Sequence, residues 1–302
     1  MKKYIWGILY GIILTVFTIY VMLDTFVITR VYTEAPSADN TPVNEENSEV
    51  PAEKDPSTVV STDKSYTDNN ISITITEYRE NNTTIYVADV VLSSAEFLKT
   101  SLAKNTYGKN VTQKTSDMAK SANAILAING DYYGSRERGY VLRNGMLYRS
   151  TRANDQEDLV IYKDGSFEII TESSVSANTL LDKGAEQIFS FGPSLVVDGQ
   201  ISVGKNDEVG KAMANNPRTA IGIIDELHYV LVVSDGRTKA SEGLTLYELA
   251  EFMQSLGTKV AYNLDGGGSS TMVFNGKIIN NPTTNGKSIQ ERSVSDIVYV
   301  GY

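Results

Sequence analysis

The chain has 302 residues, 37 of them acidic and 27 basic, for a net charge of −10, with no cysteine and one histidine. That balance carries no counterion-release footprint for nucleic acid, and the missing cysteines exclude disulfides, thiolate nucleophiles and cysteine-zinc sites. His228 alone excludes multi-histidine zinc centres and leaves little room for a Ser-His-Asp triad, so chemistry must rest on carboxylates, hydroxyls, amides, tyrosines and arginines.

Residues 4–23 carry no charge, and about 20 apolar residues suffice to cross a bilayer as a helix. Lys2 and Lys3 precede this run and the chain beyond Asp24 is acidic, which places the start in the cytoplasm and the rest outside. A cleaved signal peptide is the rival, but its apolar region runs to only roughly 7–15 residues and ends in a small-x-small site. Residues 1–32 are therefore read as a cytoplasmic tip and an uncleaved signal anchor. From 33 to 66, proline, acids, Ser, Thr and Asn dominate. Such a composition reads as a disordered acidic stalk holding the folded part, 67–302, away from the membrane.

Within that part "ISITITE" sets Ile71, Ile73 and Ile75 against Ser and Thr, the alternation of a half-buried strand. Asn144-Gly145, Asp164-Gly165, Asp198-Gly199 and Asn275-Gly276 are hairpin turn signals, so antiparallel pairing should be common. Two helices are expected, one over 116–123 and one in "TLYELAEFMQSLG", where Thr245 and Glu248 have capping-box spacing and Gly257 a stop. Each leads into an apolar strand, 124–128 or 260–264, and then into an acid-bearing glycine turn, "NGDYYG" or "NLDGGGSST". Continuous apolar strands are usually central and covered on both faces, and loops past such strand ends are common ligand sites. Asp131 and Asp265 should thus lie near one cleft. The fold class expected is α+β, a mixed, largely antiparallel sheet core with a few packed helices after one transmembrane helix.

Two carboxylates flanking a bond are what glycoside cleavage needs. Asp131 alone also fits an Asx turn beside two packing tyrosines. The second acid precedes Gly266, Gly267 and Gly268, where the backbone can approach a ligand closely, but this loop lacks the lysine of a phosphate-binding P-loop. Arg218 and Arg237 flank apolar strands, and the guanidinium fork suits phosphate or carboxylate oxygens. Asp235 and Arg237 also fit a rim salt bridge of little energetic weight. His228 alternates with Val230 and Val232 and reads as structural. "NDQED", 154–158, could hold calcium, but it lacks EF-hand spacing and fits a solvated loop.

"NGDYYG", "FSFGPSLVVDG", "NPRTAIG", "VVSDGRT", "GLTLYELAEFMQSLG" and "NLDGGGSSTMV" follow one another in an order that resembles the phosphodiester glycosidase family, and "ERSVSDIVYVGY" is similar to its final strand. The resemblance runs roughly from Thr84 to Tyr302. It implies hydrolysis of a sugar-1-phosphodiester between the anomeric carbon and the phosphate oxygen, with no cofactor. By motif it implies Asp265 and Asp131 as the catalytic carboxylates, unassigned among acid, base and nucleophile. Arg218 and Arg237, with Asp235 beside them, would meet the phosphate, while Asn129, Asn263, Gly266, Gly267, Gly268, Ser269 and Ser270 would hold the sugar or an oxyanion. A bacterial envelope polymer with phosphodiester-linked sugars suits an outward-facing tethered domain. The alternative is a non-catalytic glycan-binding or exopolysaccharide-assembly module, with Tyr132, Tyr133 and Tyr262 as stacking platforms.

Overall fold

A computed structural model describes residues 2–34, 59–205 and 215–302. The chain opens with α1 (Lys2–Phe26), β1 (Arg30–Glu34), β2 (Val60–Ser61), β3 (Ser65–Thr67), β4 (Ile71–Glu80), β5 (Thr83–Leu92), β6 (Leu98–Leu102) and β7 (Thr106–Lys109). It continues through α2 (Thr115–Ser121), β8 (Leu126–Asn129), β9 (Val141–Arg143), β10 (Met146–Arg149), β11 (Glu157–Tyr162), β12 (Phe167–Thr171), α3 (Ala177–Asp182), β13 (Ala185–Phe189), β14 (Ser194–Val197) and β15 (Gln200–Ile201). The last elements are β16 (Arg218–Asp225), β17 (His228–Ser234), α4 (Leu246–Ser255), β18 (Val260–Leu264), β19 (Met272–Phe274), β20 (Lys277–Ile278) and β21 (Asp296–Val300).

Three sheets form the body. The largest has nine strands in the order β15-β14-β18-β16-β17-β5-β4-β3-β2, and two five-stranded sheets run β20-β19-β8-β21-β6 and β10-β9-β13-β11-β12. The pairings among the described strands are antiparallel, for example β8 with β19 and β21, and β18 with β14 and β16. The α+β architecture with a largely antiparallel core is thus as expected, and its short connections explain why. Asn144-Gly145, Asp198-Gly199 and Asn275-Gly276 all take positive φ at both residues, the left-handed pair that matches strand twist in a two-residue hairpin. Asp164-Gly165 differs: only the glycine is left-handed, and Ser166 N donates to Asp164 Oδ1 at 2.9 Å in a longer turn.

The sheets share a central core in which Ile71, Ile73 and Ile75 meet Leu126 and Ile128 of one small sheet and Leu159 and Ile161 of the other. Outer faces are covered by helices. Leu246, Leu249, Ala250 and Met253 of α4 pack on Val230, Val232 and Ala261, and Met118 and Ala119 of α2 pack on Ala127 and Ile297. Strands β8 and β18 are therefore buried and mostly apolar, with Asn129 and Asn263 as their polar members, because each has a helix on one face and the central core on the other. Thr245 and Glu248 form the capping box of α4, and Gly257 follows its end at φ 82°. The other expected helix is observed as α2, over a slightly shorter span.

Helix α1 is long and apolar enough to cross a membrane, and its apolar window is not buried in the domain. The stretch read as a stalk is described only at its ends, and 35–58 lies outside the described residues. Those ends are structured. Straight after α1, β1 pairs with β7, and β2 and β3 extend the edge of the nine-stranded sheet. Edge pairing orders these short polar strands, which bury too little to be recognised by composition.

Candidate active site

The two acid loops meet where two sheets join. Between Leu264 of β18 and Met272 of β19 the chain leaves the nine-stranded sheet and enters a five-stranded one beside β8. Asp265 N donates to Gly130 O at 3.2 Å, and Asn129 Nδ2 donates to Asp265 O at 2.6 Å. Asn129 Oδ1 accepts from Thr219 Oγ1 at 2.9 Å and Thr271 N at 3.2 Å. Fully buried, Asn129 ties the loops together rather than facing a ligand. Asn263 donates to Gly192 O at 2.7 Å. Its Oδ1, like Ser270 Oγ and Thr271 Oγ1, is buried with no hydrogen-bond partner among the described residues.

The two acids have different surroundings. Asp131 has a side-chain exposure of 0%. Its Oδ1 accepts from Tyr133 N at 2.9 Å, the Asx turn, and its Oδ2 from Arg143 Nη2 at 2.8 Å and Ser190 N at 3.3 Å. Arg143 Nε donates to Asp296 Oδ2 at 2.8 Å, completing a buried acid–arginine–acid triad whose guanidinium also lies 4.3 Å from the centre of the Phe189 ring. Burial pushes Asp296 up to about 7, against the pull of Arg143. Protein donors thus occupy both oxygens of Asp131.

Asp265 reaches the edge of solvent, with 10% of its side chain exposed beside Arg292 at 42%. Arg292 Nη2 donates to Asp265 Oδ2 at 3.1 Å, and its Nε and Nη2 donate to Ser269 Oγ at 2.9 and 2.6 Å. Burial raises the Asp265 carboxyl above its ordinary value although Arg292 pulls it down. Across the loop, Arg237 donates to Thr284 O at 2.6 Å and to Asn216 Oδ1 at 2.9 and 3.1 Å. Gly267, at φ 64°, leaves room for that guanidinium, since a Cβ there would stand 2.9 Å from Arg237 Nη2. Partial burial and the neighbouring Arg292 both lower the Arg237 value. The guanidiniums of Arg237 and Arg292 thus stand near one another at this loop.

Arg218 lies beneath the same loop. It is buried, its Nε donates to Leu244 O at 2.9 Å, and a Cβ on Gly266 would sit 3.9 Å from its Cδ. Gly268 is packed against Thr284. Asp235 does not pair with Arg237: its oxygens accept from Asn281 N at 2.7 Å and Asn281 Nδ2 at 2.8 Å. Tyr133 and Tyr262 are buried, which leaves Tyr132, 43% exposed, as the one of the three able to stack on a sugar. His228 contacts Asp89 at 3.1 Å on the surface.

"NDQED" is not one solvated loop. Glu157 holds Ser194 N and Oγ at 3.1 and 2.9 Å, and Asp158 is buried in β11. Burial first, then the Glu172 carboxylate, pushes Asp158 up to about 10. Neither Asp158 oxygen has a hydrogen-bond partner among the described residues. Among the described residues no group of three or more His, Asp or Glu side chains is arranged to hold a metal.

The family model for phosphodiester glycosidases matches residues 122–301. The chain belongs to the phosphodiester glycosidase family. A prophage-derived uncharacterized protein of Bacillus subtilis, YomE, is 31% identical over 201 residues, covering 65% of this chain and 31% of that protein. The mouse N-acetylglucosamine-1-phosphodiester alpha-N-acetylglucosaminidase is 29% identical over 184 residues, 55% of this chain and 35% of its own length. The chain thus spans about a third of each of these relatives. In fold it is similar to the zebrafish catalytic domain of the same name, auto-inhibited by its pro-peptide, with a TM-score of 0.62 at 20% identity over 91% of this chain and 89% of that one.

No motif in the sequence names Arg143, Arg292 or Asp296 as a site residue. Asp296 carries the same pattern as Asp131 and Asp265, an aspartate abutting an apolar run, "SDIVYV". Arg143 stands in an apolar strand before a hairpin turn, where an arginine needs a buried partner, but nothing local names that partner.

Proposed function

We propose that the domain hydrolyses a sugar-1-phosphodiester of the N-acetylglucosamine-1-phosphate type, in cell-envelope or extracellular glycopolymers of a bacterium. The observation that carries the reading is the pair Arg237 and Arg292 on either side of the glycine loop, with Asp265 held by one of them. Water attacks the anomeric carbon, the carbon–oxygen bond breaks, and its electron pair leaves on the phosphate oxygen. The leaving group is already a weak base, so charge stabilisation by arginines matters more than a strong general acid. Asp265, its carboxyl raised by burial, accepts the proton of the attacking water. Arg218 adds positive charge from below, Ser269 orients Arg292, and the 266–270 backbone with Asn263 and Ser270 lines the site. Asp131 holds the neighbouring loop in register. The apolar window Tyr4–Phe26 anchors the protein, with the domain outside.

Turnover of a GlcNAc-1-phosphodiester by the purified domain in ¹⁸O-water tests this reading. The label should appear on the anomeric carbon of free GlcNAc. Label in the phosphate, or release of sugar-1-phosphate, would mean that the phosphorus–oxygen bond is cut and would overturn it.

A further inference from the structure

A cavity of about 270 Å³, lined by Tyr32, Tyr107, Gly108, Lys109, Tyr133, Arg136, Glu137 and Arg149, lies between β1 and the loop that follows Asp131. Its position is set by how α1 joins the domain. Asn110 Nδ2 caps the helix end, donating to Thr25 O at 3.2 Å and Ile28 O at 3.0 Å. Strand β1 then pairs with β7, Arg30 opposite Lys109 and Val31 opposite Gly108. Gly108 is required here, because a Cβ would collide with the Arg30 carbonyl. Tyr32 packs on Tyr107 at 5.8 Å between ring centres, and Tyr107 stacks on Tyr133 at 5.4 Å. From Phe26 to Tyr32 an extended chain reaches at most about 20 Å. The cavity therefore lies at the end of the apolar helix.

Its charges favour an anion. Lys109, Arg136 and Arg149 outnumber the carboxylates beside them, Glu137 at 3.3 Å and Asp24 at 3.8 Å from Lys109. Both guanidiniums are held by neutral partners: Arg149 by the carbonyls of Gly139, Tyr133 and Arg136, Arg136 by Ser190 O and the Phe191 ring. Clefts for drug-sized ligands run to roughly 300–1,000 Å³, so this one suits a small headgroup. We propose that the cavity binds the phosphate headgroup of an anionic membrane lipid, seating the domain on the bilayer surface. This rests on the membrane-anchor reading given above and is separate from the hydrolytic site. Arginine forks grip phosphate oxygens, and each basic side chain near an anionic surface strengthens binding about fivefold.

The test uses the full chain. Its co-flotation with phosphatidylcholine vesicles is measured first, because failure to float would overturn the membrane reading and this inference with it. Lipid retained after mild delipidation from nanodiscs of mixed phosphatidylcholine and phosphatidylglycerol is then counted by native mass spectrometry. Phosphatidylglycerol should be retained at least about fivefold over phosphatidylcholine, and Lys109→Gln and Arg136→Gln should each reduce that preference about fivefold. Lys109→Gln should leave phosphodiester turnover unchanged, which distinguishes this cavity from the hydrolytic site. Co-flotation with no preference, or full preference in both variants, would overturn the lipid site alone. Displacement of the lipid by equimolar glycerol phosphate would reassign the cavity to soluble phosphates.

Discussion

The loops bearing Asp131 and Asp265 are built alike, each a helix, an apolar central strand and a glycine turn with an aspartate, yet the two acids end in opposite circumstances. Asp131 is sealed beneath the surface in a triad with Arg143 and Asp296, whereas Asp265 meets solvent beside an arginine that is itself half in water. A shared local pattern delivers an acid to the seam between sheets. What that acid does there is decided by side chains far away in sequence.

Neutralising each acid in turn breaks this comparison most sharply. Asp265→Asn should lower kcat by about 10²–10⁴-fold, the range of a positioned acid–base group, with little change in Tm. An equally active Asp265→Asn protein would reduce that carboxylate to a support. For the triad the damage should fall on stability. Arg143→Met leaves two carboxylates buried without their cation, which costs about 3–5 kcal/mol, with Tm falling about 2–4 °C per kcal/mol. Adding Asp131→Asn and Asp296→Asn to that variant should restore part of the loss. A triple variant no better than Arg143→Met would show that charge is not what the triad balances.

The sequence carried the repeated helix, strand and acid-loop pattern, the capping box at Thr245 and all four hairpin turns, because these rest on contacts within a few residues. Asp131 and Asp265 could be placed in one neighbourhood for the same reason. The triad could not. Arg143 and Asp296 are 153 residues apart, and only the closure of the sheets brings them together. Strand β1 escaped notice because its five residues gain their order from β7 rather than from their own pattern.

Smaller effects sharpen the contrast. Arg237→Lys and Arg292→Lys keep the charge but lose the fork, and each should lower kcat/KM about 10–100-fold on a phosphodiester, the value of a charge-assisted hydrogen bond. Turnover should also fall on the acid side at a higher pH than an ordinary carboxylate would set, because the Asp265 value is raised and its proton-accepting form is lost earlier. Asp158 gives a pH signature of another kind. Its folded value, about 10, lies above that of the unfolded chain, so its contribution is complete below about pH 4 and is lost as pH rises towards about 10. Asp158→Asn, a permanent mimic of the neutral acid, should raise Tm at pH 8 by at least about 2–4 °C and change it little at pH 4. The smallest effect belongs to Thr245→Ala, which removes the α4 cap and should cost about 1 kcal/mol without altering kcat.

Asn129 and the 265–271 crossing stitch two sheets together at the place where the proposed reactive groups stand. Separating those sheets, even briefly, would scatter the groups. The protein should therefore have no inactive but otherwise native form reached by mild heating: the proposed catalysis and tertiary circular dichroism should disappear along one curve. Residual activity then becomes a gauge of how many molecules still have their sheets joined.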